Sequence, residues 1–395
     1  MRARSSGYPE GAERPSLDEL ILLPPQFTPG RFWRGMELLR EPSQEEVITE
    51  TSIGGFRARI PVVCSLTWLR DPMSLEIARG CAEMGAPLSL AIAPEGHDEK
   101  SGLPSFKEIA LAHLESMKGL GGLVVRQAPE DGVRLWERVY TDPDLDPYVD
   151  EGLLAFEISA LAGSVRPSNL EAPELPIPRT MTEEVLAGRI RSIRNNFPRV
   201  RVFLRTGPYR DLDRVIEIAG REGADAVTIE AGAIGAGLPL IACLGAVVRA
   251  RERGVRMSLI ISSELRDCSQ IAKSLALGAS AVELSEALRK ACLSGQSSGL
   301  RRILGSSTQL RGCAAGVVSY LRELERGLKV IAFALGKCGL DELSSEDLGA
   351  LDRDLAELLG VSYVYGLRGM EGLGLRGATS PAQSSPPASS PQSAR

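Results

Sequence analysis

Eight short apolar runs, separated mostly by segments of helical periodicity, constrain this chain more than any other feature. They are IPVVCSL (60–66), LSLAIA (88–93), GLVVRQ (122–127), GLLAFEI (152–158), VRVFLRT (200–206), AVTIEA (226–231), RMSLII (256–261) and SAVELS (280–285). Segments between them, such as SLEIARGCAEMGA and DLDRVIEIAGREGA, repeat apolar residues every three and four positions, and several close on Gly or Asn. Strands that are apolar along their whole length are buried on both faces, as in parallel sheets with helical crossovers. Eight such units predict an α/β fold, a (β/α)8 TIM barrel, with extra C-terminal helices around 313–335 and 344–359. An open, doubly wound sheet is the structural alternative. It needs a glycine-rich first turn, and SLTWLRDP after the first run is not one.

The chain has 395 residues, 43% of them hydrophobic and 25% charged, with a net charge of −5. No basic patch dominates, so nucleic acid is not an expected partner. No run of about 18 apolar residues is present, so no membrane span is expected, and a cytoplasmic location is the default. The ends, 1–15 and the Ser/Pro-rich 367–395, lack apolar periodicity and are expected to be disordered. Residues 16–366 then form one barrel domain. Seven cysteines are scattered without a C-x-x-C pair, which predicts free, mostly buried thiols. With only His97 and His113 beside them, no metal site is expected.

In a barrel, chemistry sits at the C-terminal ends of the strands. That rule points to Ser65, Thr67 and Trp68 after the first run, Glu95 and His97 after the second, and Gln127 after the third. Glu157 follows near the end of the fourth, with Arg166 in the Pro-rich segment 159–180, which reads as a long loop. Arg205 ends the fifth run. Glu230 and the turn AGAIGAG follow the sixth, Ser262 to Arg266 the seventh, and Ser285 the eighth. Arg166 and Arg205 are candidates to clamp a carboxylate through paired hydrogen bonds. Glu95 and Glu157 are candidate proton carriers if buried. AGAIGAG offers backbone N–H groups to an anion at a helix start, or is simply a tight turn.

Five segments in order, LDELILLPPQFTP (17–29), ITETSIGGFRARIPVVCSLTW (48–68), GADAVTIEAGAIGAGLP (223–239), IAKSLALGASAVEL (271–284) and the stretch 334–366, resemble the FMN-binding synthase domain of glutamate synthase, including its stand-alone forms. The resemblance implies a barrel that binds FMN and converts 2-oxoglutarate and ammonia to glutamate. It implies a small dicarboxylate substrate and an electron-donor subunit. It places catalytic roles on Glu95, Arg166 and Arg205, and cofactor contacts on Thr67, Trp68, Gly235, Gly237, Ser262, Ser263 and Ser285.

The sequence departs from the family at its phosphate site. A Gly-Gly turn falls on Ser263-Glu264, and a Gly-Thr on Leu284-Ser285, where Leu284 is expected to add bulk and Glu264 to repel a phosphate. The family's iron–sulfur cluster needs three cysteines, and only Cys292 falls in register, so no cluster is expected. Three readings follow: a divergent flavin oxidoreductase, a non-catalytic paralogue that binds or regulates another glutamate synthase subunit, and a flavin-free barrel enzyme holding another small anion.

Overall fold

The computed structural model describes residues 16–25, 43–66, 73–91, 104–126, 134–165, 175–178, 181–231, 237–265, 267–295 and 306–366. The two ends expected to be disordered lie outside the described residues. Ahead of the barrel stand β1 (Leu20–Leu22) and a hairpin of β2 (Thr51–Ile53) and β3 (Phe56–Ala58). The eight apolar runs form the eight barrel strands: β4 (Val62–Leu66), β5 (Leu88–Ala91), β6 (Leu123–Arg126), β7 (Leu154–Ser159), β10 (Arg201–Thr206), β11 (Ala226–Glu230), β12 (Ser258–Ser262) and β13 (Ala281–Leu284). Each pairs in parallel with the next, and β13 returns to β4, so the sheet closes. Closure leaves no edge strand in the barrel to template aggregation.

Alternation along the strands sorts side chains into two cores. Outward residues such as Val62, Cys64, Leu88, Val202 and Val227 join one large core beneath the surrounding helices. These include α1 (Ser74–Glu83), α2 (Phe106–Ser116), α3 (Arg134–Tyr140), α4 (Asp146–Asp150), α5 (Glu183–Asn196), α6 (Leu212–Arg221), α7 (Leu240–Glu252), α8 (Cys268–Ala276) and α9 (Glu286–Gly295). Inward residues Val63, Val124, Ala155, Phe203, Ala226, Ile260 and Ala281 form a second core with Ile53, Phe56 and Ala58. The β2–β3 hairpin is therefore a plug in the N-terminal end of the barrel. Its turn residues Gly54 and Gly55 have φ of 55° and 89°, which suits glycine at both positions.

Two parts of the expectation need correcting. Segment 159–180 is not simply a loop: β8 (Leu161–Val165) and β9 (Leu175–Pro178) pair within it as an antiparallel ribbon. Stretch 344–359 is not one helix either. It contains β14 (Leu348–Ala350) and α11 (Arg353–Leu359), and β14 pairs with β1 and with β15 (Ser362–Tyr363). This small sheet ties the two ends of the folded unit together, and periodicity over three-residue strands is too short to have revealed it. Lys273 of α8 reinforces the tie by donating to the Leu17 carbonyl at 2.9 Å.

The 29-residue α10 (Ser306–Ala334) packs along α1, α8 and α9. Cys292 of α9 and Cys313 of α10 are joined by a disulfide, so the expectation of free thiols fails for this pair. Their separation of 21 residues in sequence hid a contact made by two adjacent helices. The other five cysteines are free, four of them buried. Among the described residues, no helix is long and apolar enough to cross a membrane.

Two predictions test this packing. A Cβ at position 54 would lie 2.3 Å from Phe203 Cζ, on a backbone that already strains any other residue. Gly54→Ala should therefore cost about 2–4 kcal/mol in urea unfolding. His113, fully buried on α2, has its ring nitrogens 3.1 Å from the Ala78 carbonyl and 3.2 Å from that of Gly122. Burial lowers its pKa from 6.5 to about 4. Between these values only the unfolded chain takes the proton. The neutral ring's contribution is thus complete above pH 6.5 and is lost as pH falls toward 4, on the order of 3 kcal/mol in all. Unfolding free energy measured across that window should flatten by about one proton in His113→Gln.

Candidate active site at the barrel mouth

Above the apolar core, toward the C-terminal ends, the lumen turns ionic. The inward positions are Ser65 on β4, Ser89 on β5, Arg126 on β6, Glu157 on β7, Arg205 on β10, Thr228 and Glu230 on β11, and Glu283 on β13. Each follows an inward apolar residue by two or four positions on its own strand, or opens that strand's inward face, so the same alternation that builds the plug core builds this layer.

Arg205 is the hub. Its Nε donates to Glu157 Oε2 at 2.8 Å and its Nη1 to Glu230 Oε1 at 2.8 Å, while its Nη2 donates to Glu283 Oε2. Thr228 donates to the other Glu157 oxygen at 2.7 Å. Arg126 Nη2 donates to Ser65 at 2.6 Å and to Ser89 at 3.0 Å, and lies 3.6 Å from Glu283 Oε1. Arg126 Nε is buried and makes no hydrogen bond among the described residues, although Glu157 is 3.5 Å away. The Arg205 side chain is only 2% exposed, against 37% for Glu230, which makes Glu230 the carboxylate that faces solvent.

The electrostatics follow from this geometry. Burial alone would lower the Arg205 pKa, but Glu157, Glu283 and Glu230 outweigh it and hold the guanidinium well above its ordinary value. Burial, then repulsion from Arg205, pushes Arg126 down. Burial would raise Glu283, yet Arg205 and Arg126 hold it below the usual carboxylate range. Formally, two guanidiniums face three carboxylates. Beside them, the Tyr209 hydroxyl is buried without a hydrogen-bond partner among the described residues and is pushed up to about 12 by burial and by Glu230.

Of the residues singled out from sequence, the structure brings Arg205, Glu157, Glu230 and Ser65 together. Ser262 ends β12 at the same end of the barrel and Ser263 follows it, both half-buried, with exposed Glu264 next in the turn. The helix that follows, α8, is already capped by Asp267, which accepts from the Gln270 N–H at 2.9 Å. Ser285 opens α9, its carbonyl accepting from Leu288 N–H at 3.1 Å. Leu284 must be corrected: it is buried on the outward side, in the core under the helices, and adds no bulk at the mouth. Gly237 has φ of 78°, and a Cβ there would sit 2.5 Å from Pro208 Cγ, so close packing already requires glycine. Thr67, Trp68, Glu95, Arg166 and Gly235 lie outside the described residues. Sequence reasoning missed Arg126, Glu283, Ser89 and Thr228. The available signal was a charge inside an apolar strand, in LVVR and AVEL, on the lumen-facing parity.

No family model matches this chain, and no curated protein does. Solved structures do. A mandelate oxidase variant with a monooxide FMN adduct matches at a TM-score of 0.53 and 18% identity, over 82% of this chain and 86% of that one. A flavocytochrome b2 variant with sulfite bound matches at 0.57 and 15%, over 90% and 79%. A mandelate oxidase variant with (S)-mandelic acid gives a TM-score of 0.53 at 18% identity, over 82% of this chain and 84% of that one. At these identities the likeness is one of fold. This chain has a (β/α)8 barrel fold. Neither enzyme is a glutamate synthase, so the finer resemblance stands on the sequence segments alone.

Removing the hub leaves Glu157 and Glu283 buried without their main counter-charge. Arg205→Gln should cost about 3–5 kcal/mol at pH 7. Glu283 has a depressed folded pKa, so the stability it gains from Arg205 is present above its unfolded pKa and is lost as pH falls. The deficit of the variant, measured by urea unfolding, should therefore be constant near neutrality and shrink as pH falls below 4.5.

Proposed function

We propose that this chain is an FMN-dependent oxidoreductase acting on a small carboxylate, with its reaction centre on the Arg205 floor. The observation that carries the reading is the floor itself. Filling a barrel with apolar side chains is cheaper than burying Arg205, Glu157 and Glu283, and the lower half of this lumen does so with Phe203 and Ile260. An ionic layer placed only at the end where barrels react is better explained by chemistry than by folding. Fold likeness to mandelate oxidase with an FMN adduct supports the cofactor class.

The described residues fit FMN unevenly. Arg126 Nε is a buried donor without an acceptor, and each Arg205 Nη carries a second N–H beyond the one given to a carboxylate. These donors suit the electron-rich edge of a flavin or the carboxylate of a substrate. At the phosphate end, Ser263 and Ser285 offer hydroxyls, while Glu264 and Asp267 bring carboxylates to the same turn. Binding should be weak rather than absent. FMN, when bound, supplies two-electron transfer. Glu157 and Glu283 fix the orientation of Arg205, and Arg126 is the second cation. Glu230, half-buried and joined to Arg205 by a single hydrogen bond, is the arm an incoming carboxylate would displace, leaving the charge count of the floor unchanged. Arg166 is proposed as a second clamp and Glu95 as a polar contact.

Within this class, glutamate synthase-type amination of 2-oxoglutarate rests on the sequence segments, and oxidation of a 2-hydroxy acid rests on the fold neighbours. A second reading, a non-catalytic barrel that binds or regulates a complete glutamate synthase, is favoured by the acidic phosphate turn.

Titration of FMN fluorescence with the purified chain separates these readings. The oxidoreductase reading expects saturable quenching, tightened about threefold to tenfold by Glu264→Gly as a like charge leaves the phosphate site. Turnover of 2-oxoglutarate plus ammonia with a reduced dye as electron donor, or of a 2-hydroxy acid with an oxidised dye as electron acceptor, then chooses the reaction. If neither the chain nor Glu264→Gly quenches FMN, the flavin reading is wrong and the regulatory one gains.

A further inference from the structure

A second cleft, of about 850 Å³, opens at the opposite end of the barrel, between the α6 and α7 termini and the plug hairpin. Its volume is that of a small-molecule site. One wall is apolar, with half-buried Val255 and Met257 lying over the buried Ile216 and Ala250. The rest is polar, and its hydrogen-bond accounting is one-sided.

The three carboxylates that line it are satisfied by arginines standing outside it. Asp213 accepts from Arg249 at 3.0 and 2.8 Å, Asp225 from Arg194 at 3.0 Å and from the Val202 N–H at 2.8 Å, and Glu217 from Arg214 at 2.9 Å. The donors are not used up in the same way. Arg256, exposed, makes no hydrogen bond or ion pair among the described residues. Arg253 reaches Asp213 only at 3.4 Å and is 54% exposed. Ser280 Oγ already accepts from Arg251 at 2.8 Å and from the Leu259 N–H at 3.1 Å, and Ser258 Oγ accepts from the Gly54 N–H at 2.8 Å. Each hydroxyl therefore keeps a proton with no acceptor among the described residues. Behind the Gly55 turn, Arg201 Nε is a further buried donor without a hydrogen-bond partner among the described residues.

From this surplus we propose that the cleft is a second binding site, for a small organic anion with an apolar body, such as an aryl phosphate or aryl carboxylate. Arg253, Arg256 and the two serine hydroxyls take the anionic head, and Val255 and Met257 take the body. The site is separated from the barrel mouth by the plug core of Ile53, Phe56 and Phe203, so its ligand is not the substrate. Because Gly54 and Ser258 share a hydrogen bond in its wall, occupancy braces the plug hairpin against β12.

The test uses phenyl phosphate as probe on the full chain, followed by thermal unfolding and calorimetric titration. Expected is one site with Kd at or below about 1 mM, at least about tenfold tighter than inorganic phosphate, and a rise in unfolding temperature, since a ligand of the native state alone must stabilise it. Arg253→Gln/Arg256→Gln should weaken it about tenfold or more, and Arg256→Gln alone should do so partially. Both residues are exposed, so folding is preserved. Saturating FMN should leave phenyl phosphate binding unchanged. Absence of binding, equal affinity in the double variant, or displacement by FMN would each overturn the assignment, the last by placing the probe at the mouth. None of these outcomes depends on whether FMN is the cofactor.

Discussion

One guanidinium organises the reactive end of this barrel. Arg205 from the fifth strand binds carboxylates from the fourth, sixth and eighth, so four of the eight strands converge on a single side chain. Such a knot is not a cheap way to hold strands together, because every ion in it has left water. Its worth lies in exclusivity. Each carboxylate has one orientation that satisfies it, and Thr228 removes the remaining freedom of Glu157. The lumen thus has a polar floor in which Glu230, of the three carboxylates bound to Arg205, is the one that faces solvent.

Beneath that floor the opposite solution operates. The hairpin carrying Ile53 and Phe56 enters the open N-terminal end and turns it into an apolar core, with Phe56 and Phe203 ring centroids 5.8 Å apart. Two residues along β10, Phe203 and Arg205, mark the boundary. One belongs to the plug and the other to the floor. A barrel built this way can vary its chemistry above the boundary without disturbing the packing that closes it below.

The barrel was legible because its strands are apolar on both faces and its helices are not, and these periodicities hold over whole elements. The β1–β14–β15 sheet was not legible, since pairing between residues more than 300 positions apart leaves no local trace. The site was half legible. Arg205, Glu157 and Glu230 stand at strand ends, where the barrel rule looks. Arg126 and Glu283 hid inside runs that read as core, although parity along the strand was enough to place them in the lumen. The same parity shows why Leu284 was misjudged. It is one residue beyond Glu283, so it must face outward, toward the helices.

Parity also bears on the phosphate turn. Ser262 shares the inward face with Ile260, while Ser263 and Glu264 leave the strand, so their directions are set by the turn and not by the sheet. Replacing two glycines by serine and glutamate therefore changes what the turn presents without touching the barrel beneath it. Asp267 then satisfies the α8 N-terminus from within, using the helix's own carboxylate where an external anion would otherwise contribute. The scaffold and the anion site are physically separable here. That is why a well-formed barrel and a carboxylate-bearing phosphate turn coexist in one chain.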